Sequence, residues 1–251
     1  MIFLLAAGRP SEALATARRG LEAAPHDQSL LGWAATSARA AGDLLAATLN
    51  DYDQLVRPLS IVAPPSWPDL PAFLGDLASA LKALHVFERQ PISQSVRGGL
   101  QTLQNLSHSK VPAIAKLFEA LDSPIRRYIA DLGPGGDPHR ARATGDYRIA
   151  GAWSVRLRTG GFHDDHFHPQ GWISSAFYVE TPTQALGRET REGWIRFGRP
   201  PIDLDPPLEA EHYVRPEPGR LVLFPSYMWH GTVPFTTEES RMTVAFDLVP
   251  A

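Results

Sequence analysis

The sequence predicts an α+β fold in which helices come first and an antiparallel β-sandwich or barrel follows. Three observations carry this reading. Residues 1–57 are rich in Ala and Leu, the composition of packed helices. Between about residues 72 and 132, leucines and isoleucines recur at spacings of three and four, the period of an amphipathic helix. Beyond about residue 145 the chain becomes a series of short β-rich runs divided by Gly and Pro. At 251 residues, with 43% hydrophobic and 20% charged residues, it can bury a sizeable core.

Taken in order, the first segment contains an internal echo. Ala6-Ala7-Gly8-Arg9 returns as Ala40-Ala41-Gly42-Asp43, so glycines 8 and 42 are offset by 34 residues. That period in an Ala-rich stretch resembles the tetratricopeptide repeat, with Gly at the turn between helices and Pro25 closing the second helix. Residues 1–57 are therefore expected to be a TPR-like helical segment, with residues 58–251 forming a second domain. Five prolines (58, 64, 65, 68 and 71) predict a linker or irregular connection. Helices are then expected over about 72–88, from Leu74, Leu77, Leu81 and Leu84, and over about 112–132, from Ile114, Leu117, Leu121, Ile125 and Ile129. Gln94 to Thr102 is polar and contains two glycines, and Gly133 to Pro138 is a strong breaker. Strands are expected at 153–158, 172–179, 193–198, 220–225 and 241–249.

Composition excludes several functions. The chain has no cysteine, which removes disulfide scaffolds, thiolate zinc sites, iron–sulfur clusters and cysteine nucleophiles. A net charge of −3 gives no basic footprint for nucleic acid. The opening apolar run is short and lacks a positive n-region, so no signal peptide is expected. No apolar run approaches the roughly 20 residues that span a bilayer. A cytoplasmic location fits these features.

The histidines are the informative residues. His163, Asp164, Asp165, His166 and His168 fall within six positions between two strand-like runs. Residues i and i+2 of an extended chain share a face. His166 and His168 can therefore converge on one point, and His163 and Asp165 on another. The third ligand of a metal should come from a remote strand, and His230, in Trp229-His230-Gly231, is the candidate. Imidazole with carboxylate suits Fe(II), and three protein ligands leave positions open for reactants. Three histidines alone are also compatible with Zn(II). Further along, Arg241 and Thr243 share one face of the last strand. A guanidinium beside a hydroxyl is a good receptor for a carboxylate. Trp153, Trp172, Tyr178, Phe224 and Trp229 are expected mainly in the core, with some lining a pocket.

Three blocks together resemble the 2-oxoglutarate- and Fe(II)-dependent dioxygenases, and in particular the bacterial group often joined to tetratricopeptide repeats. They are Gln94 to Thr102, Trp153 to Val179 and Gly219 to Arg241. The resemblance implies a double-stranded β-helix, or jelly roll, over about 145–251, braced by the helices of about 72–132. It implies Fe(II) as cofactor and 2-oxoglutarate as co-substrate. It casts His230 as the distal iron ligand. Arg241 and Thr243 then hold the far carboxylate of 2-oxoglutarate, and Tyr178 adds to that cofactor-binding group. The proximal pair is either His166 and His168, giving a three-histidine centre one negative charge short of the common His-x-Asp pattern, or His163 and Asp165, which reproduce that pattern literally.

The expected activity is a hydroxylase that couples decarboxylation of 2-oxoglutarate to oxidation of a small molecule, peptide or protein. Two alternatives stand beside it. One is a cupin-like three-histidine metalloenzyme that does not use 2-oxoglutarate. The other is an inactive barrel whose helical front end binds a protein partner. Neither nucleic acid nor membrane is expected as a partner. The candidate lids are Glu180 to Glu192 and Gly198 to Pro218.

Overall fold

The computed structural model describes residues 1–86, 95–187 and 189–251. The N-terminal part is helical throughout: α1 (Ile2–Ala6), α2 (Pro10–Ala23), α3 (Gln28–Ala41), α4 (Leu45–Leu49) and α5 (Tyr52–Leu55). Helix α2 begins with Pro10 in its first turn, where the missing N–H costs nothing. Helix α3 is capped by the Asp27 carboxylate, which accepts from the Leu30 N–H, and ends at Gly42 with φ +67°. Gly8 also has positive φ, so both glycines of the sequence echo are left-handed turn residues.

The proline-rich stretch is not purely a linker. Arg57–Ser60 forms β1, which pairs antiparallel with β7 (Arg220–Pro225) at the edge of a sheet. Pro58 lacks an N–H to donate, and an edge strand tolerates that. Helix α6 spans Leu70–Lys82, capped by Asp69, and is shorter than its leucine pattern predicts; the expected end at Glu88 lies outside the described residues. Helix α7 spans Pro112–Leu132, matching the predicted range.

The Gln94–Thr102 segment contains a strand that its polarity concealed: Val96–Gln101 is β2, while Gln94 lies outside the described residues. Then come β3 (Tyr147–His163), β4 (Ile173–Glu180), β5 (Ile195–Phe197), β6 (His212–Val214), β7, β8 (His230–Thr232) and β9 (Arg241–Pro250). One sheet runs β1-β7-β4-β9-β3-β2 and the other β6-β5-β8, with every recorded pairing antiparallel. Strand β6 lies inside one of the two expected lids. Arg188, in the other, lies outside the described residues.

The helices cover the outer face of the large sheet. Phe73, Leu77, Ile114, Leu117 and Leu121 pack in one contiguous core with Phe177, Val222, Phe246 and Leu248. Ala17, Leu31 and Leu49 of the N-terminal helices belong to that same core. Polar contacts tie α3 to the barrel as well. The Trp229 indole donates to Thr36 Oγ1 at 2.9 Å, and the Tyr227 hydroxyl donates to the Leu49 carbonyl at 2.9 Å. Arg39 donates to the carbonyls of Gly198 and Glu209 and pairs with Glu211. No helix among the described residues is long and apolar enough to cross a membrane.

Helix α3 lies so close to the barrel that Gly32 has no room for a side chain: a Cβ there would meet the Tyr227 carbonyl oxygen at 2.9 Å. Gly75 of α6 faces open space. The two Gly→Ala substitutions should therefore have opposite signs in chemical denaturation. Gly75→Ala should stabilise by up to about 1 kcal/mol through helix propensity. Gly32→Ala should destabilise by about 1–3 kcal/mol, because backbone must move to admit the methyl group. A stabilising Gly32→Ala would mean that α3 does not seat on the barrel wall.

Candidate metal centre and co-substrate cavity

The site begins with a two-residue bridge. His166 and His230 exchange both backbone hydrogen bonds, N–H to O=C, at 2.9 Å each. Residues so paired in an antiparallel ladder present their side chains on the same face. His168, two residues beyond His166, shares that face, and its N–H is held by the Ser226 carbonyl at 2.9 Å. The three imidazoles meet: ring centroids lie 4.3 Å apart for His166 and His230, 5.2 Å for His166 and His168, and 5.1 Å for His168 and His230. One ring nitrogen from each lies within 4.8 Å of the others. Among the described residues no other such cluster of metal-binding groups occurs.

The alternating residues point the other way. Phe167 and Trp229 pack edge to face at 4.6 Å, and the Phe167 ring also approaches Gly32 of α3. The apolar residues interleaved with the histidines thus anchor this corner of the barrel to the N-terminal helices.

Hydrogen bonds fix the tautomers. His166 Nδ1 lies 2.7 Å from the Asp164 carbonyl and His230 Nδ1 2.9 Å from the Met228 carbonyl. A carbonyl can only accept, so each Nδ1 carries the proton and each Nε2 presents a lone pair. His168 Nδ1 lies 2.6 Å from Asp247 Oδ1, which imposes the same tautomer. Burial pushes His166 down to about 3 and His230 well below the usual imidazole range, and neighbouring histidines add to both shifts. Neutral imidazoles with bare nitrogens are what a divalent ion requires. Three such donors fill part of a coordination sphere and leave the rest for reactants. The donor set therefore fits Fe(II).

The alternative proximal pair is arranged differently. Asp165 is buried and gives both oxygens to Arg196, at 2.9 and 2.7 Å, with Arg199 at 3.8 Å. It is not in the histidine cluster. The His163 ring stacks on His166 at 5.8 Å, and its Nδ1 meets Ser95 Oγ at 3.2 Å. The same hydroxyl lies 3.2 Å from His166 Nε2.

The histidines line a cavity of about 600 Å³ whose wall also includes Arg241 and Thr243. Arg241 is only 3% exposed. Its Nε donates to the Gly193 carbonyl at 3.1 Å, Nη2 reaches the Tyr178 hydroxyl at 3.4 Å, and the guanidinium lies 4.9 Å from the Tyr178 ring centroid. Among the described residues no acidic side chain pairs with it. Tyr178 is fully buried and burial raises its pKa, so it remains a neutral hydroxyl beside the guanidinium. A buried cation without a counter-charge is costly unless an anion completes it. Trp153 and Phe224 line the cavity, as two of the expected aromatics, whereas Trp172 is core and Trp229 is turned to α3.

Sequence reasoning missed Ser95, Arg196 and Asp247. For Asp247 the signal was present. Arg241, Thr243, Ala245 and Asp247 alternate along β9, and all four line the cavity.

A jelly-roll barrel with this donor set and an anion-seeking cavity has the architecture of a non-haem metal oxygenase. Residues 151–247 match the family described as "Putative 2OG-Fe(II) oxygenase". Over that stretch the chain is similar to an oxygenase domain of that kind, an oxidoreductase module that works with Fe(II) and 2-oxoglutarate. Solved structures share the fold. A prolyl-4-hydroxylase from Pseudomonas putida is 18% identical at a TM-score of 0.51, covering 83% of this chain and 100% of its own. A prolyl hydroxylase from Trichoplax adhaerens, in complex with a hypoxia inducible factor peptide, is 15% identical at 0.51, covering 80% and 86%. The epimerase SnoN from nogalamycin biosynthesis is 11% identical at 0.51, covering 80% of each chain. No curated protein sequence matches the chain.

The Asp165–Arg196 pair provides a test of the two proximal registers. Asp165→Asn should lower stability by about 3 kcal/mol, because it breaks a bidentate ion pair whose carboxylate is buried and leaves a partly buried guanidinium unpaired. It should leave one equivalent of Co(II) bound in a metal titration. Loss of the metal with the fold intact would move the centre to His163 and Asp165.

Proposed function

We propose that this protein is a hydroxylase whose Fe(II) is held by His166, His168 and His230, and whose 2-oxoglutarate is anchored by Arg241, Thr243 and Tyr178. The observation that supports this most directly is the buried, anion-free Arg241 in the same cavity as the histidine cluster. Fe(II) bound there would supply the oxidation chemistry in which one atom of O2 goes to succinate, as 2-oxoglutarate loses CO2, and the other goes to the substrate as a hydroxyl.

The residues of the chain do the rest. Arg241 offers its fork to the far carboxylate of the co-substrate. The Thr243 hydroxyl adds a donor from the same strand face. The Tyr178 hydroxyl accepts from Arg241, which leaves its own proton free for that carboxylate. Ala176, Ile195 and Phe224 give the cavity an apolar wall that limits water. A three-histidine enzyme working without 2-oxoglutarate would leave the buried guanidinium without a purpose.

The substrate reading follows the neighbours. Both hydroxylases above are prolyl hydroxylases, and we read the substrate of this chain as a peptide or small molecule presented at the side of the cavity lined by Trp153, Gln101, Pro169 and Gln170. We also read residues 1–57 as a TPR-like segment and residues 58–251 as the oxygenase domain. The left-handed glycines 8 and 42 and the α2–α3 hairpin support this assignment.

Two variants and one assay test the proposal. Succinate release should require both Fe(II) and 2-oxoglutarate. His230→Ala should abolish iron binding, and stoichiometric iron in that variant would remove His230 from the centre. Arg241→Ala should keep the metal but weaken 2-oxoglutarate by at least about 30-fold, since removing one partner of a buried charge pair costs about 2–5 kcal/mol. Unchanged co-substrate affinity would overturn the assignment of the anchor.

A further inference from the structure

Three imidazole ligands bring no negative charge, whereas the common His-x-Asp centre contributes one. The structure places a carboxylate directly behind one of the three rings. Asp247 Oδ1 lies 2.6 Å from His168 Nδ1, on the side of the ring away from Nε2. The same oxygen accepts from Ser174 Oγ at 2.7 Å, and Ser174 Oγ meets Ser226 Oγ at 2.8 Å. Ser174 is the cross-strand partner of Asp247, and both serines are fully buried. The carboxylate is thus held in place by two strands and the Ser226 turn. The Ser226 carbonyl also holds the His168 N–H at 2.9 Å, so one small unit fixes both the backbone and the ring of this histidine.

We propose that Asp247 is a positioning residue that holds His168 as its Nδ1–H tautomer and lends the centre, through the imidazole, the negative charge that a carboxylate ligand would otherwise bring. The assignment rests on His168 being a metal ligand. A carboxylate hydrogen-bonded to the outer nitrogen of a ligating histidine fixes the ring and raises its basicity, and its loss typically weakens metal binding by about 10–100-fold. The other two rings lean on backbone carbonyls, which orient but carry no charge. His168 is therefore the ring through which charge enters. Its position, two residues after His166, is where the common pattern has its carboxylate, so the negative charge is displaced outward by one imidazole rather than lost.

The test has two readouts, neither of them turnover. Long-range ¹⁵N–¹H spectra of the metal-free protein report the tautomer of His168. Wild type should show the proton on Nδ1, Asp247→Ala should shift it toward a mixture, and Asp247→Asn, which keeps a carbonyl acceptor, should preserve it. Co(II) titration should then give an affinity 10–100-fold weaker in Asp247→Ala. It should also be weakened in Asp247→Asn, where orientation survives and only the charge is gone. A wild-type proton on Nε2 would overturn the proposal. So would Co(II) affinity unchanged in both variants. Complete loss of Co(II) in Asp247→Asn would make Asp247 itself a ligand and equally overturn the positioning role. If wild type binds no Co(II), the metal assignment above fails, whereas the tautomer spectra still decide whether Asp247 sets the state of His168.

Discussion

The site depends on one short bridge. Two backbone hydrogen bonds between His166 and His230 join a turn after β3 to the start of β8, 64 positions away in the chain. That pairing sets side-chain parity on both segments. It turns His166, His168 and His230 to the cavity, and it turns Phe167 and Trp229 to α3. A slip of one residue in either segment would turn that segment's histidine away from the cavity and bring its aromatic neighbour in. Phe167 would replace His166 and His168 in the one case, and Trp229 would replace His230 in the other. The edge-to-face contact of Phe167 with Trp229, and the indole hydrogen bond to Thr36, hold the register from behind. The helical segment therefore has a mechanical role in the site although it contributes no residue to it.

The cavity concentrates groups that are unfavourable to bury. Arg241 is desolvated without an acid beside it among the described residues, and His163, His166 and His230 are held neutral by burial. Each pKa unit of displacement corresponds to about 1.4 kcal/mol. Such costs are tolerable only if the surrounding core is large, and here one contiguous cluster runs from α2 through the large sheet to α7. Ligands that bind the folded state would recover part of the cost by completing the unpaired groups. The fold and its ligands are in this sense linked: the cavity is polar where a metal and a dicarboxylate would satisfy it and apolar elsewhere.

Much of this was legible in the sequence, and the remainder was hidden for identifiable reasons. The amphipathic period of α7 gave its full range, and β7 and β9 were readable as β-rich runs because their side chains are apolar or alternate. Strand β2 was hidden because two of its six residues are glycine and two more are polar, so it has little of the β-branched and aromatic content that marks a strand. Strand β1 was hidden by Pro58, which reads as a breaker until an edge position is known. The convergence of His166 and His168 followed from parity alone. Their meeting with His230 needed a long-range pairing that no local period encodes, and there the likeness of the motifs to known oxygenases carried the argument. Histidine burial was no guide by itself. His139 is as buried as His230 and pushed down to about 3, yet it sits in the helical core against Tyr128, Trp172 and Tyr227.

Asp165 shows why the literal motif was ambiguous. On sequence, His163-x-Asp165 is the better copy of a His-x-carboxylate pair. In the fold, Asp165 is opposite in parity to His166 and is committed to Arg196 of β5 by two short hydrogen bonds. To ligate a metal it would have to break a bidentate ion pair and leave a partly buried guanidinium without its anion, a change that costs up to about 3–5 kcal/mol. The carboxylate that does approach the centre, Asp247, comes from β9 and does so through a histidine. A charge requirement met by a residue 79 positions from its partner leaves no trace in a local motif. It becomes visible only when the strand that bears Arg241 and Thr243 is followed, two residues at a time, to its far end.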